Sequence, residues 1–482
     1  MNTTPHDLIL SNATVFDGQR TPRFTADIAI RGDRIAAIGA LREMPSKQRI
    51  DLKGKAVAPG FIDAHTHDDL ALLEQPTLPA KLSQGITTVV TGNCGVSIAP
   101  VDFKGRAPTV PMDLFDSTGQ AFRFPRFGDF VKALEDSPPA LNSALLVGHT
   151  ALRIDAMSDL ERTANAGEIA RMRDRVQEAL EAGAIGVSTG LFYEPARAAS
   201  TEEVIEVCRP MSRMGGVYCT HMRDEAEGVV DSLEETFRIG AELGIGVVVS
   251  HHKIMGRPNF GRSRETLPLI AQRMKTQKVC LDCYPYAASS TILSWSRAKI
   301  AKKVLITWSR PHPEYNGMDL AEVARRMGQS TEDTIARLLP AGAIYFSMDE
   351  DDVQRILQFE ETMIGSDGLP HDARPHPRLW GSFPRVLGHY SRGLGLFPLE
   401  TAIWKMTGLT AQNFGLTDRG VLRPGAYADL TVFDPETVGD AATFEDPERP
   451  STGIDQVYVN GVLSWNAGAA TGARPGRVLK RG

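Results

Sequence analysis

Two histidines two residues apart, His65 and His67, end the apolar run "KAVAPGFIDAH" in a chain with only 11 histidines among 482 residues. Positions i and i+2 of a strand face the same way, so both imidazoles can reach one ion. Four further apolar runs end in groups of the same kind: "ITTVVTGNC" in Cys94, "GVYCTH" in His221, "IGVVVSH" in His251, and "TMIGSDG" with Asp367. A lone strand-end histidine is ordinarily a hydrogen-bonded structural residue. Imidazole, thiolate and carboxylate at five strand ends together make a donor set for a metal ion. His252 follows His251 directly, and alternation puts the two on opposite faces, so only one of them joins the set. Asp63, two residues before His65, faces the same way, either orienting a ligand imidazole or serving as a strand-end turn residue.

Such convergence needs elements whose ends meet. Eight apolar, β-branched runs, the five above with "NSALLVGH", "AIGVSTG" and "KVCLDCYPY", alternate with amphipathic segments. Over 168–181, Ile169, Met172, Val176 and Leu180 fall on one helical face, and Ser200 with Glu203 reads as a capping box. The alternation predicts an α/β chain built on a parallel (β/α)8 TIM-like barrel, whose site lies at the C-terminal strand ends. A doubly wound sheet is disfavoured, because no glycine-rich phosphate loop follows the first strand. Residues 7–41 alternate apolar and polar with turn signals at Asp17-Gly18 and Gly32-Asp33, and the texture returns at 425–435 and 455–465. A lone N-terminal strand set is marginal, so the two ends are expected to fold together as one small β-sandwich-like domain.

The expected division is therefore 1–55 and 416–482 in the small domain and 56–415 in the barrel, with an insertion at about 287–345 after the seventh strand. That insertion, and the Pro-, Gly- and Phe-containing stretch 97–139 after the second strand, are candidate lids or pocket walls.

A net charge of −6 supplies no basic footprint, so neither nucleic acid nor a membrane surface is an expected partner. The opening "MNTTPHDLIL" lacks a charged leader with an apolar core, and no apolar run approaches the roughly 20 residues that span a bilayer. Five cysteines, an odd number at no disulfide-like spacing, point to reduced thiols and a cytoplasmic setting. Cys280-x-x-Cys283 has no second pair and alternates like a strand interior, so it reads as structural.

"VAPGFIDAHTH" with "GAYADLTVFDP" resembles the amidohydrolase superfamily, metal-dependent barrels with a β domain made from both chain ends. More narrowly, "TGNCG", "THMRDEAEG", "VSHHK", "DCYPY", "AGAIYFSMDE" and "MIGSDGLPHDARPHPRLWGSFPRVLGHY" resemble the D-aminoacylases over nearly the whole chain. The resemblance implies a zinc enzyme that hydrolyses small N-acyl-D-amino acids to a carboxylate and a free D-amino acid. It implies a tight zinc site of Cys94, His221 and His251, and it is what selects His251 over His252. A second, weaker metal position would use His65, His67, Asp367 and the shared Cys94. Many amidohydrolases bridge two metals with a carbamylated lysine of the fourth strand; "AIGVSTGLFYEPAR" holds no lysine, and the Cys94 thiolate takes that place. Asp367 is then general base toward water and general acid toward the departing amine. Lys253, Tyr284, Ser290 and Arg378 match the carboxylate-binding positions, the Arg378 guanidinium being suited to a bidentate grip. Tyr345 and Met348 match positions lining the side-chain pocket, although Met348 reads equally as core.

One stretch departs from the members that prefer hydrophobic side chains, which look apolar around residue 299. Here the chain reads "SWSRAKIAKK", with Arg297, Lys299, Lys302 and Lys303. A basic group reaching the pocket would favour an acidic side chain such as D-glutamate or D-aspartate; the alternative is a solvated basic helix face. Two other functions compete. Cyclic amide hydrolysis or deamination would have no use for the carboxylate-binding set, and a catalytically inactive scaffold would ordinarily have lost donors that are all present here.

Overall fold

The computed structural model describes residues 5–103, 108–116 and 118–481. Eight parallel strands pair in chain order: β1 (Phe61–Asp63), β2 (Ile86–Thr91), β3 (Asn142–Gly148), β4 (Gly186–Gly190), β5 (Val217–His221), β6 (Gly246–Val249), β7 (Val279–Cys283) and β8 (Thr362–Ile364). The ring closes between the last and the first. Ala64 N–H donates to the Ile364 carbonyl at 3.1 Å, and Thr66 bridges Gly368 in parallel. This is the expected (β/α)8 barrel. β2, β3, β4, β5 and β7 are buried at every position, because helices cover one face and packed side chains fill the other. That double burial is why these strands read as continuous apolar runs.

The outer helices follow local rules. Helix Ala166–Ala182 buries Met172, Val176 and Ala179, begins at a complete capping box of Asn165 with Glu168, and stops at Gly183 with φ +109°. Ser200 caps helix Thr201–Cys208 by accepting the Glu203 N–H at 3.1 Å. The Glu203 carboxylate does not close the expected box. It pairs with the buried Arg153 and accepts the Ala164 N–H at 2.8 Å, since a buried guanidinium left without an acid costs more than half a cap.

The two chain ends share one nine-stranded sheet, in which Ala56–Pro59 pairs antiparallel with Leu430–Phe433. His6–Val15 pairs antiparallel with Phe24–Arg31 and in parallel with Ser46–Asp51 and Ala56–Pro59, so the sheet is mixed. It encloses a core of its own around Leu10, Val15, Ile28, Val57, Leu430 and Val432. Asp429 ties it to the barrel: it pairs with the buried Arg419 and accepts the Asn460 N–H at 2.7 Å, while Asn460 Nδ2 donates to Asn142 Oδ1 at 2.8 Å.

Two boundaries shift from expectation. The first apolar run is split: Ala56–Pro59 belongs to the terminal sheet and the barrel begins at Phe61, so the changeover is at residue 60 and not at 56. Gly60 is required there, because a Cβ would fall 2.2 Å from the Thr87 side chain. At the other end, Val478–Leu479 leaves the terminal sheet and pairs with β3 at Ser143 and Ala144. The insertion after β7 is a small subdomain. Strands Ser289–Ile292, Ala341–Tyr345 and Val304–Ser309 form an antiparallel sheet in that spatial order, with helices Leu320–Met327 and Thr331–Leu338 closing a core around Ile306, Val323 and Ile335.

Gly60→Ala overpacks the joint between the two sheets and is expected to cost about 1–3 kcal/mol. The measurement is chemical denaturation: the midpoint falls while the slope stays constant, and an unmoved midpoint would mean that Thr87 yields freely.

Candidate metal centre

Five barrel strands deliver the six expected donors to the C-terminal mouth: His65 and His67 beyond β1, Cys94 beyond β2, His221 at the end of β5, His251 beyond β6 and Asp367 beyond β8. They form two groups, His65–His67–Cys94–Asp367 and Cys94–His221–His251, each with its ligand atoms within 4.8 Å of one another. Cys94 belongs to both. Its Sγ lies 3.2 Å from His65 Nε2 and 3.3 Å from His251 Nε2. His67 Nε2 lies 3.2 Å from Asp367 Oδ1. His252 faces the other way, with Nε2 2.9 Å from Thr266 Oγ1.

Three of these residues hold left-handed backbone, with φ +54° at Cys94, +36° at His251 and +50° at Asp367. Side-chain-bearing residues rarely adopt it, and each instance is pinned by hydrogen bonds. His251 N–H donates to Asp282 Oδ1 at 2.8 Å, Asp367 N–H to the His65 carbonyl at 2.8 Å, and Gly95 N–H to Ser188 Oγ at 2.9 Å. In "TGNCG" the first glycine is there for contact: Gly92 has φ +82°, and a Cβ would fall 2.1 Å from the Leu146 carbonyl oxygen.

Burial opposes a charged Cys94, but His65 and His251 beside it hold the thiol well below its ordinary range. Burial opposes ionisation of Asp367 too. The Arg378 guanidinium, 2.8 Å from Oδ2, and His67 hold that carboxyl well below the usual range. Burial pushes His221 down to about 4, leaving the neutral imidazole that a metal requires. A thiolate with two imidazoles is the donor chemistry of a zinc site that keeps a position open, and the residues fit it. The second group adds a carboxylate and suits another divalent ion.

Two carboxylates that the sequence did not single out stand behind the imidazoles. Glu225 Oε1 lies 3.1 Å from His251 Nδ1 and pairs with Lys253, and Asp282 Oδ2 lies 3.4 Å from His65 Nδ1. With Nε2 turned to the sulfur, Asp282 at Nδ1 fixes for His65 the tautomer that a ligating imidazole needs; at His251 Nδ1, Glu225 shares the position with the Lys253 ammonium, whose Nζ lies 2.7 Å away. Their one signal in sequence is an acid inside each motif, in "THMRDE" and "DCYPY". Asp63 meets no ligand ring; it pairs with Lys81 at 3.0 Å.

A narrow cavity opens onto these groups. Both expected walls contribute to it, Pro111, Leu114 and Phe115 from the stretch after β2, and Ser289, Ser290, Thr291 and Arg297 from the insertion. Lys253 lines it as well, while Arg378 and Tyr284 lie against that lining. Arg378 Nη2 donates to the Ser290 carbonyl at 3.1 Å, and its guanidinium sits 4.6 Å from the Tyr284 ring centre. The four expected carboxylate-binding residues thus form one cluster beside Asp367.

Two expected pocket residues lie elsewhere. The Tyr345 hydroxyl accepts the Ser294 N–H at 2.9 Å and donates to the Ile292 carbonyl at 2.8 Å, so the ring belongs to the insertion's core. Met348 lines a separate cleft with Lys299 and Lys302, its Sδ 3.6 Å from the Tyr284 hydroxyl. In the basic run, Lys299, Lys302 and Lys303 are exposed, and Arg297 alone enters the cavity. Arg297 lies 4.0 Å over the Phe192 ring and 3.6 Å from Glu225 Oε2, with its Nε lacking an acceptor. No helix among the described residues is long and apolar enough to cross a membrane.

The sequence matches the model of the Amidohydrolase family over residues 48–259 and 306–464. It is 59% identical over 477 residues to a D-aminoacylase of Alcaligenes xylosoxydans xylosoxydans, covering 99% of this chain and 98% of that one. A solved D-aminoacylase, studied for the functional role of its binuclear metal centre, superposes with TM-score 0.97 at 58% identity over 99% of this chain and 100% of its own. The N-acyl-D-glutamate deacylase of Bordetella bronchiseptica, solved with zinc and a phosphonate mimic of the tetrahedral intermediate, gives TM-score 0.95 at 47% identity, with 99% and 100% covered.

Glu225→Gln keeps the side chain's volume and removes its charge. Zinc uptake at Cys94, His221 and His251 is expected to weaken by about 10–100-fold, read by competition with a chromophoric chelator. An unchanged affinity would show that Glu225 does not tune these ligands.

Proposed function

The chain belongs to the amidohydrolase family, in the group of the D-aminoacylases, and on that premise we propose that it is a zinc-dependent deacylase, cleaving N-acyl-D-amino acids to a carboxylate and a free D-amino acid. One observation carries this: a cavity in which two metal-donor groups meeting on Cys94 adjoin the cationic cluster of Lys253 and Arg378. A linear N-acyl amino acid needs both, a place for its amide and a grip on its α-carboxylate. Cyclic amide hydrolysis or deamination has no use for a grip on an α-carboxylate, and an inactive scaffold leaves the donors without a use.

Cys94, His221 and His251 would hold zinc, and His65, His67, Asp367 and the shared Cys94 a weaker second ion; a metal there would supply Lewis-acid chemistry toward the amide carbonyl and acidify water. Asp367 accepts the proton of the water that adds to the carbonyl carbon. The same carboxyl then gives that proton to the amide nitrogen as the C–N bond breaks. Arg378 keeps Asp367 ionised for the first of these steps. Lys253, Arg378 and the Ser290 hydroxyl hold the α-carboxylate, and Tyr284 offers its ring to the guanidinium. Selectivity for the D enantiomer rests on the kinship with D-aminoacylases.

Of the basic run, Arg297 is the member that lines the cavity, and the expected acidic preference rests on it. A carboxylate on the substrate side chain would meet its guanidinium there, which favours D-glutamate or D-aspartate. The five cysteines are buried free thiols, which supports a reducing, cytoplasmic setting.

Matched N-acetyl-D- and N-acetyl-L-amino acids test the central claim. The D substrates should be hydrolysed, with activity lost on chelation and restored by zinc; equal turnover of both enantiomers, or full activity without metal, overturns it. Arg297→Leu should lower kcat/KM for N-acetyl-D-glutamate relative to N-acetyl-D-methionine by about tenfold or more. A constant ratio would remove Arg297 from side-chain recognition.

A further inference from the structure

β1 and β8 are the shortest barrel strands, three residues each, yet His65, His67 and Asp367 all stand just beyond them. The seam between them rests on few backbone contacts: the Thr66–Gly368 bridge, Ala64 N–H to the Ile364 carbonyl and Asp367 N–H to the His65 carbonyl. A lysine lies wholly inside this seam. Lys81, in the helix Pro79–Leu82, is 1% exposed, and its Nζ lies 3.0 Å from Asp63 Oδ2, 3.3 Å from Asp68 Oδ2 and 2.9 Å from Ser366 Oγ. Asp63 Oδ1 in turn accepts the Ser366 N–H at 2.7 Å and the His65 N–H at 3.3 Å, and Ser366 Oγ accepts the Gly368 N–H at 3.2 Å.

The partners flank the donors in sequence. Asp63 lies two residues before His65, Asp68 follows His67, and Ser366 precedes Asp367. One ammonium therefore reaches both sides of the seam while lying outside the cavity lining. Burying the ammonium together with Asp63 and Asp68 carries a desolvation cost that apolar side chains at all three positions would avoid. What the cation adds, where the ladder is thin, is a hydrogen bond to Asp63 and an ion pair with Asp68 on one side of the seam and a hydrogen bond to Ser366 on the other.

We propose that Lys81 is a positioning residue, which holds the strand ends bearing His65 and His67 in register with Asp367, so that the second metal position and the general base are assembled together. This rests on the metal-dependent function proposed above and names what builds its second position. The Cys94–His221–His251 group comes from β2, β5 and β6 and meets the seam only where Cys94 Sγ lies 3.2 Å from His65 Nε2.

The test is a zinc and cobalt titration of full-length Lys81→Met against the unsubstituted protein, with kcat and KM for an N-acetyl-D-amino acid on the same samples. Expected are an unchanged tight site, a second affinity weakened about tenfold or more with an altered cobalt absorption spectrum, and a lower kcat at near-constant KM. A variant with a lower Tm but both affinities, the spectrum and kcat unchanged overturns the proposal. If Lys81→Met does not fold, Ser366→Ala, which leaves both ion pairs in place, decides by the same readouts: a weakened second affinity supports the role and an unchanged one overturns it. An unsubstituted protein that takes up no metal fails the metal-dependent function itself, an outcome distinct from two identical titrations.

Discussion

A sulfur buried in the mouth of a barrel carries negative charge only if positive charge is brought to it, and this one requirement orders the centre. Cys94 is 2% exposed and draws His65 and His251 to within 3.3 Å. Asp282 supplies an acceptor at the far nitrogen of His65, while the far nitrogen of His251 meets Glu225 and the Lys253 ammonium together. Glu225 needs a cation in turn, and Lys253 provides it from the same segment as His251. Charge alternates outward from the sulfur until it meets either the cavity or the backbone. A low local dielectric makes every link strong when paired and costly when broken.

The backbone bears the strain of that convergence. Straight strands would carry their side chains along the barrel's tilt; left-handed residues at Cys94, His251 and Asp367 turn the chain sharply at the points where donors are needed. Such residues cost of order 1–3 kcal/mol each and persist where their surroundings over-determine them. Two of the three are pinned by groups of the centre itself, His251 by Asp282 and Asp367 by His65. Forming the site and holding its strained turns are thus one event.

The barrel and the donor set were legible because each donor ended a buried strand, and buried parallel strands leave long apolar runs in sequence. The same property hid the changeover at Gly60, where one apolar run passes through two sheets, both of them buried. Arg297 could not be told from Lys299 because the helix Trp295–Ala298 ends before Lys299 and is too short to set a phase. Tyr345 sits in a family motif, but its hydroxyl is satisfied inside the insertion, a contact that no spacing announces. Lys81 and Ser366 are 285 residues apart and meet only when the barrel closes.

The insertion carries its own apolar core, and from it come Ser289, Ser290, Thr291 and Arg297. Bond breaking is thereby lodged in the barrel, and the choice of what is broken is lodged largely in a cassette that folds around itself. The two parts meet at the centre all the same: the Ser290 carbonyl accepts from the Arg378 that pairs with Asp367, and Arg297 Nη2 lies 3.4 Å from His221 Nε2, so a change within 289–303 is felt by the donors.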